Sequence, residues 1–139
     1  MKILAIDIGA GTQDILLFDS KRQLENCIKM VLPSPSPLLA ARVAELGGTR
    51  KDLFIGGHTV GGGSLARAIK RHVTSERRVY MTTLAAYTVR NNLEDVTAMG
   101  VEIREEPPPG FDGALLYADE LDLTPLKTLL ESLGEDLGE

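Results

Sequence analysis

Residues 3–20, ILAIDIGAGTQDILLFDS, restrict this chain more than any other stretch. An apolar run ends in Asp7, a corner of two glycines follows, and a second apolar run starts at once. The spacing predicts strands over residues 2–8 (KILAIDI) and 14–19 (DILLFD). Between them lies GAGTQ, where Gly9 and Gly11 can take backbone angles that other residues resist. Leu24 to Leu32 alternates Leu24, Asn26, Ile28, Met30 and Leu32, which predicts a third strand. The chain therefore opens with three antiparallel strands.

Beyond the third strand the texture changes. PSPSP ends it and starts a helix, with Ser36 as N-cap, Pro37 in the first helical position and Leu39, Val43 and Leu46 on one face. Gly47-Gly48 is its stop. Residues 52–56 (DLFIG) predict a short buried strand, and a glycine loop leads to a helix over 64–73 with Leu65, Ala68 and Ile69 inward. RVYMT (78–82) is the next strand. A long helix over 83–99 follows, with Ala85, Val89, Leu93 and Val96 on one side, closed by Gly100 and the extended VEI. Strands first, then helices alternating with strands, predict an α/β fold with a mixed sheet flanked by helices.

Residues 1–103 form the core in this reading, and 104–139 a loop, a short extended segment and a last helix with an acidic tail. LLYADELDL (115–123) is compatible with strand or irregular chain. Thr124 caps the last helix with Pro125 next, and Leu126, Leu129, Leu130 and Leu133 make its apolar stripe.

Composition narrows the function classes. With 139 residues and 43% hydrophobic content the chain suits one globular domain, and with 4% aromatics the aliphatics must build its core. A net charge of -5 makes nucleic acid an unfavoured partner, since phosphate neutralisation supplies most of that affinity. Cys27 is the single cysteine, so no internal disulfide, iron–sulfur cluster or structural zinc site can form from these residues, and His58 and His72 do not complete a metal set. No apolar run approaches the roughly 18 residues of a membrane span. Met1-Lys2 runs directly into a strand, and the expected location is cytoplasmic.

The hairpin corner carries the chemistry. Small residues let backbone N–H groups converge on an anion, and Gly9, Gly11 and Thr12 would supply them, with the Thr12 hydroxyl in addition. A carboxylate such as Asp7 beside a phosphate needs a divalent cation between them. Asp7, Gly9, Gly11 and Thr12 thus read as a magnesium–phosphate corner. FIGGHTVGGGS (54–64) is a second glycine cluster that follows a strand and opens a helix, a favourable place for an anion. It lacks the Gly-Lys-Ser/Thr of a P-loop and a clean dinucleotide fingerprint. Its Gly61 and Gly62 are expected to line the same cleft as Thr12.

AIDIGAGTQDILLFD resembles the phosphate hairpins of the actin, heat-shock chaperone and sugar kinase ATPase superfamily, which carry an Asp-x-Gly-x-Gly-Thr-type turn on a ribonuclease-H-like core. With FIGGHTVGGGS and LYADELDL, the chain is more closely similar to a family of unknown function labelled as a pyruvate formate-lyase activating enzyme. The resemblance implies ATP and Mg as ligands. It matches Asp7 to the acid that reaches Mg through water, Gly9, Gly11 and Thr12 to the phosphate turn, with Ala10 and Gln13 completing it, and Asp14 to the acid that follows the turn in some members. It implies ATPase or phosphotransferase activity once a second half, a missing domain or another copy of the chain, completes the nucleotide cleft. The label's radical chemistry is rejected for these residues, because it needs three cysteines on one cluster. Two alternatives remain: a ribonuclease-H-like nuclease or resolvase, with Asp119, Glu120 and Asp122 as candidates for its last acid, and a non-catalytic protein-interaction module.

Overall fold

A computed structural model describes residues 1–119 and 121–136. Strand β1 (Lys2–Ile8) pairs antiparallel with β2 (Thr12–Asp19), in a register that sets Ile8 opposite Gln13 and Lys2 opposite Asp19. β3 (Ile28–Pro33) pairs with the other edge of β2. Side chains alternate faces along each strand. One face therefore gathers Leu4, Ile6, Ile15, Leu17, Ile28 and Met30, which pack with Leu126 and Leu130 of helix α5 (Thr124–Ser132). The other face carries Ile3, Ala5, Asp7, Asp14, Leu16 and Val31 and is open, with Ile3 46% and Val31 65% exposed.

The second half is a parallel sheet. β4 (Leu53–Gly57) lies between β5 (Val79–Met81) and β7 (Ala114–Ala118), and β6 (Val101–Ile103) adds outside β5. Leu53, Phe54 and Ile55 are each at most 3% exposed, as expected of a strand covered on both faces. Helices α1 (Pro35–Leu46) and α2 (Gly63–Thr74) contribute Leu39, Val43, Leu65 and Ile69 to this core. The chain is thus mixed α/β, with three antiparallel strands first and helices and strands after them. The antiparallel and parallel strands are hydrogen-bonded as two sheets rather than one mixed sheet, because β7 occupies the edge of β4.

Several local expectations are corrected. Leu24–Asn26 is a 3-10 turn closed by Cys27 N–H donating to the Leu24 carbonyl at 3.2 Å, and the strand begins only at Ile28. Helix α1 starts one proline earlier than predicted, with Ser34 as N-cap, because the preset φ of Pro35 suits the first helical position. Ser36 lies inside the helix. The long helix over 83–99 is two short ones, α3 (Thr83–Ala86) and α4 (Leu93–Ala98). Asn92 interrupts the periodicity by capping α4, its Oδ1 accepting from the Glu94 N–H at 3.0 Å. Thr124 is the first residue of α5 rather than its cap, and Asp122 Oδ1 accepts its N–H at 2.9 Å. Of the leucine stripe, Leu126 and Leu130 are buried, while Leu129 and Leu133 face outward.

The segment after residue 103 is bound into both halves. Phe111 packs edge-on against Phe54 and Tyr80, with ring centroids 6.5 and 5.9 Å away. At its far end Glu135, 6% exposed, accepts from Lys2 Nζ and Arg22 Nη1, both at 2.8 Å, and fastens the exit of α5 to the first hairpin. Hydrogen bonds from Lys2 and Arg22 hold the Glu135 carboxyl below its usual 4.5. Buried His72 at the end of α2 shares a 2.9 Å hydrogen bond with the Lys51 carbonyl, and desolvation depresses its imidazole below 6.5.

Leu130→Ala empties a fully buried position between α5 and the antiparallel sheet and should cost about 2–5 kcal/mol in urea unfolding. Acid should destabilise the protein through both groups. The folded state binds fewer protons than the unfolded chain at both groups, so each contributes stability that is lost as pH falls. The His72 contribution begins to fade as pH drops below 6.5 and should vanish from the pH profile of Tm in His72→Gln. The Glu135 contribution fades only below 4.5 and should be absent in Glu135→Gln.

Candidate functional site

The β1–β2 turn is closed by the Gly9 N–H donating to the Thr12 carbonyl at 2.8 Å, so that amide is used within the turn. Neither Gly9 nor Gly11 has a positive φ, contrary to the expectation that they supply unusual backbone angles. Gly9 matters through proximity instead, since a Cβ there would stand 3.1 Å from the Thr12 carbonyl oxygen, whereas a Cβ at Gly11 would meet nothing within 4 Å. The Gly11 carbonyl accepts from the Ser34 N–H at 3.1 Å, and Gln13 Nε2 donates to the Pro33 carbonyl at 3.0 Å. Both bonds dock the turn on the start of α1. The Gln13 amide donor is engaged there.

The second glycine cluster arrives at the same place. A Cβ on Gly61 would stand 3.8 Å from Ala10 Cα and 4.0 Å from Ser36 Cβ, so the hairpin turn, α1 and the glycine loop meet at this point. Gly62, the N-cap of α2, passes so close to the Thr88 carbonyl that a side chain there would collide with it, and the Thr88 hydroxyl accepts the Val60 N–H at 3.0 Å. Upstream, Gly57 has φ +97° and lies against the Ala118 backbone, which fixes where the loop leaves β4.

The two helices begin side by side. Ser36 in the first turn of α1 and Ser64 in the first turn of α2 have their hydroxyl oxygens 3.3 Å apart. Two helix N-termini, each the positive end of a macrodipole, thus adjoin the hairpin turn, although α1 offers few backbone donors there, since Pro35 and Pro37 carry no N–H and the Ser34 N–H is spent on the Gly11 carbonyl at 3.1 Å. Ser34 is 1% exposed, makes no side-chain capping bond, and its Oγ has no hydrogen-bond partner among the described residues. A buried hydroxyl left so costs about 1–3 kcal/mol. Sequence reasoning passed over Ser34, Ser64 and Thr88, and assigned Ser36 only a cap. The available signal was the alternation of serine with proline in PSPSP.

Asp7 is exposed and lies directly opposite Asp14 across the hairpin, on the open face of the antiparallel sheet. Thr12 belongs to the same face of β2 as Asp14. Like charges directly opposite one another disfavour pairing, so this pair is a place where a cation would relieve repulsion. The structure therefore places Ala10, Gly61 and Gly62 around the helix N-termini, and sets Asp7, Thr12 and Asp14 on the open face of the hairpin strands. Among the described residues no group of three or more His, Cys, Asp or Glu side chains could hold a metal ion. Asp119 and Asp122 accept N–H bonds from Leu121 and Thr124 in their own turns, and Glu120 lies outside the described residues. No helix of the described residues is long and apolar enough to cross a membrane.

No curated protein and no solved structure matches the chain. The single cysteine, Cys27, is buried, and its Sγ accepts from the Asp19 N–H at 3.5 Å. One family model matches, covering the glycine loop from Val60 through β7 and α5 but not the hairpin turn. It spans residues 60–139 of 139 under the description "Putative pyruvate format-lyase activating enzyme (DUF1786)", and the chain belongs to that family of unknown function.

Proposed function

We propose that the corner made by the β1–β2 turn and the N-termini of α1 and α2 binds a phosphate group, and that the ligand is a nucleotide such as ATP with Mg. One observation carries this reading: Ser36 and Ser64 bring two helix N-termini together beside Ala10 and Gly61, next to the buried hydroxyl of Ser34, which has no partner among the described residues. Partial positive charge from both helices and a spare hydroxyl suit a phosphate oxygen. The resemblance of the Asp7–Thr12 turn to actin-type phosphate hairpins supports the same ligand.

The donor set fits magnesium delivered with the phosphate. Mg binds through one or two carboxylates plus phosphate oxygens and retains several waters, and exposed Asp7 and Asp14 offer oxygen ligands of that kind. The ion would neutralise charge on the phosphates, and Asp7 would orient it through water. Hydrolysis or phosphoryl transfer would need further groups above this corner, supplied by a second domain or another copy of the chain.

Calorimetry separates these roles. Ser34→Ala should leave the Tm of the free protein unchanged or higher, because it removes an unpaired hydroxyl, while weakening ATP–Mg binding about fivefold to tenfold. Asp7→Ala should abolish the Mg dependence of ATP binding without unfolding the chain. Binding indifferent to both substitutions would overturn the assignment.

A further inference from the structure

Helices α1 and α2 begin together at the Ser36–Ser64 contact, and they also end together. Arg77, just beyond α2, sets its Nη1 3.6 Å from where a Cβ on Gly47, the C-cap of α1, would stand. His72 in the last turn of α2 shares its 2.9 Å hydrogen bond with the Lys51 carbonyl, and Asp52 Oδ1 accepts the Arg78 N–H at 2.9 Å. Segments 47–52, 70–74 and 76–78 therefore form one pole of the molecule. At a rise of 1.5 Å per residue, helices of 12 residues put that pole about 18 Å from the phosphate corner.

Cationic charge is concentrated there. Residues 50–78 hold seven of the 15 Lys and Arg but two of the 20 acids, Asp52 and Glu76, a net +5 against -10 for the rest of the chain. Arg67, Lys70 and Arg71 share the exposed face of α2, and Arg50, Lys51 and Arg78 are exposed as well. None of the seven joins an ion pair among the described residues. Glu45 on the last turn of α1 and Asp112 ahead of β7 add two acids, which leaves the cations in excess, seven to four. The overall -5, which disfavours nucleic acid for the chain as a whole, averages two unlike regions. Acids around the phosphate corner are roughly two Debye lengths away in physiological salt and are screened.

The helix ends do not occupy these cations, because other donors take the closing carbonyls. In α2, Thr74 Oγ1 donates to the Lys70 and Arg71 carbonyls at 3.1 and 2.9 Å, and Ser75 Oγ to that of Arg71 at 2.9 Å. The Ser75 and Glu76 N–H groups serve His72 and Val73. In α1, the N–H groups of Gly47 and Gly48 serve Val43, Ala44 and Glu45, and Thr49 serves Leu46. Two C-terminal dipoles together amount to about one negative charge, less than the cationic excess.

The surroundings of the cations select the partner. Between residues 39 and 83 no large apolar side chain is exposed. A protein partner would be anchored by apolar or aromatic side chains, a single strand by stacking, and a bilayer by an apolar or lipid anchor beside the charges. Hydroxyls of Thr49, Thr74 and Ser75 are turned to the helix carbonyls, away from the 2′-hydroxyls by which RNA duplexes are recognised. We propose that this pole binds the phosphodiester backbone of duplex DNA. Five of the seven cations are Arg, whose planar fork suits phosphate oxygens. Backbone contacts carry no sequence information, so the binding is indifferent to sequence. It is separate from the phosphate corner and needs no nucleotide.

Fluorescence anisotropy with a labelled DNA duplex of about 20 base pairs, without ATP and over a salt series, tests the proposal. About six backbone contacts give a slope of log K against log salt near -5, a loss of about a thousandfold between about 50 and about 200 mM salt, and two unrelated sequences should behave alike. The triple variant Arg67→Ala, Lys70→Ala, Arg71→Ala, at exposed positions, should keep its circular dichroism spectrum and bring the slope to about -3. Lys21→Ala, Lys29→Ala, Lys127→Ala together remove the same charge from other elements and should leave the affinity within about twofold. Absence of binding at the lowest salt overturns the proposal, as does equal weakening by the two triple variants. It is also overturned if an RNA duplex, a DNA single strand or phosphatidylserine vesicles bind more tightly than the DNA duplex.

Discussion

The burial of β4 organises the molecule. Leu53, Phe54 and Ile55 are covered by helices on the core side and by Phe111 near the other, with β5 and β7 on the two edges. A strand so enclosed can move neither along nor across the sheet without exposing apolar surface, at about 25 cal/mol per Å². Its end is therefore a fixed point. Gly57 turns the chain there, against the Ala118 backbone, through a positive φ that other residues resist. The loop from His58 to Gly62 is then carried to the hairpin turn by geometry set within the core.

The same rigidity explains how a corner of helix ends can persist. Bringing the starts of α1 and α2 together concentrates partial positive charge, and Ser34 is buried without a partner among the described residues, so the free protein carries a local penalty there. The cores around Val43, Leu65 and Ile69 hold both helices in place despite it. Polarity left uncompensated in this way is uncommon in folded proteins, and it is the feature on which the proposed phosphate site rests. The acids Asp7 and Asp14 stand opposite each other on the open face of the same hairpin, where solvent screens their repulsion.

Much of the architecture was legible from the order of residues. The three opening strands, β4, β5, α2 and the last helix follow from period-2 and period-3.6 patterns and from proline and glycine punctuation. Errors came where a side chain found a tertiary or local partner that no pattern announces. Asn92 caps a new helix and splits the segment 83–99. Leu24 enters a 3-10 turn although its alternation is strand-like. LLYADELDL could not be assigned because its strand character depends on the free edge of β4, some sixty residues away in sequence. In the candidate site, the glycines were legible and their role was not: Gly9 and Gly62 serve close backbone approach, and Ser34 and Ser64 gain their meaning only from each other's neighbourhood.

By itself the sequence determined the local grammar: which segments extend, which coil, where turns fall, and that an acid and small residues flank the first turn. These depend on φ and ψ preferences and side-chain periodicity over a few residues. Tertiary structure alone decided that β7 fills the edge of β4, that α5 closes one face of the antiparallel sheet, and that two helix starts and a hairpin turn share one corner. Those outcomes rest on competition for buried surface and hydrogen-bonding edges between distant segments, and the spacing of residues along the chain does not encode which competitor wins.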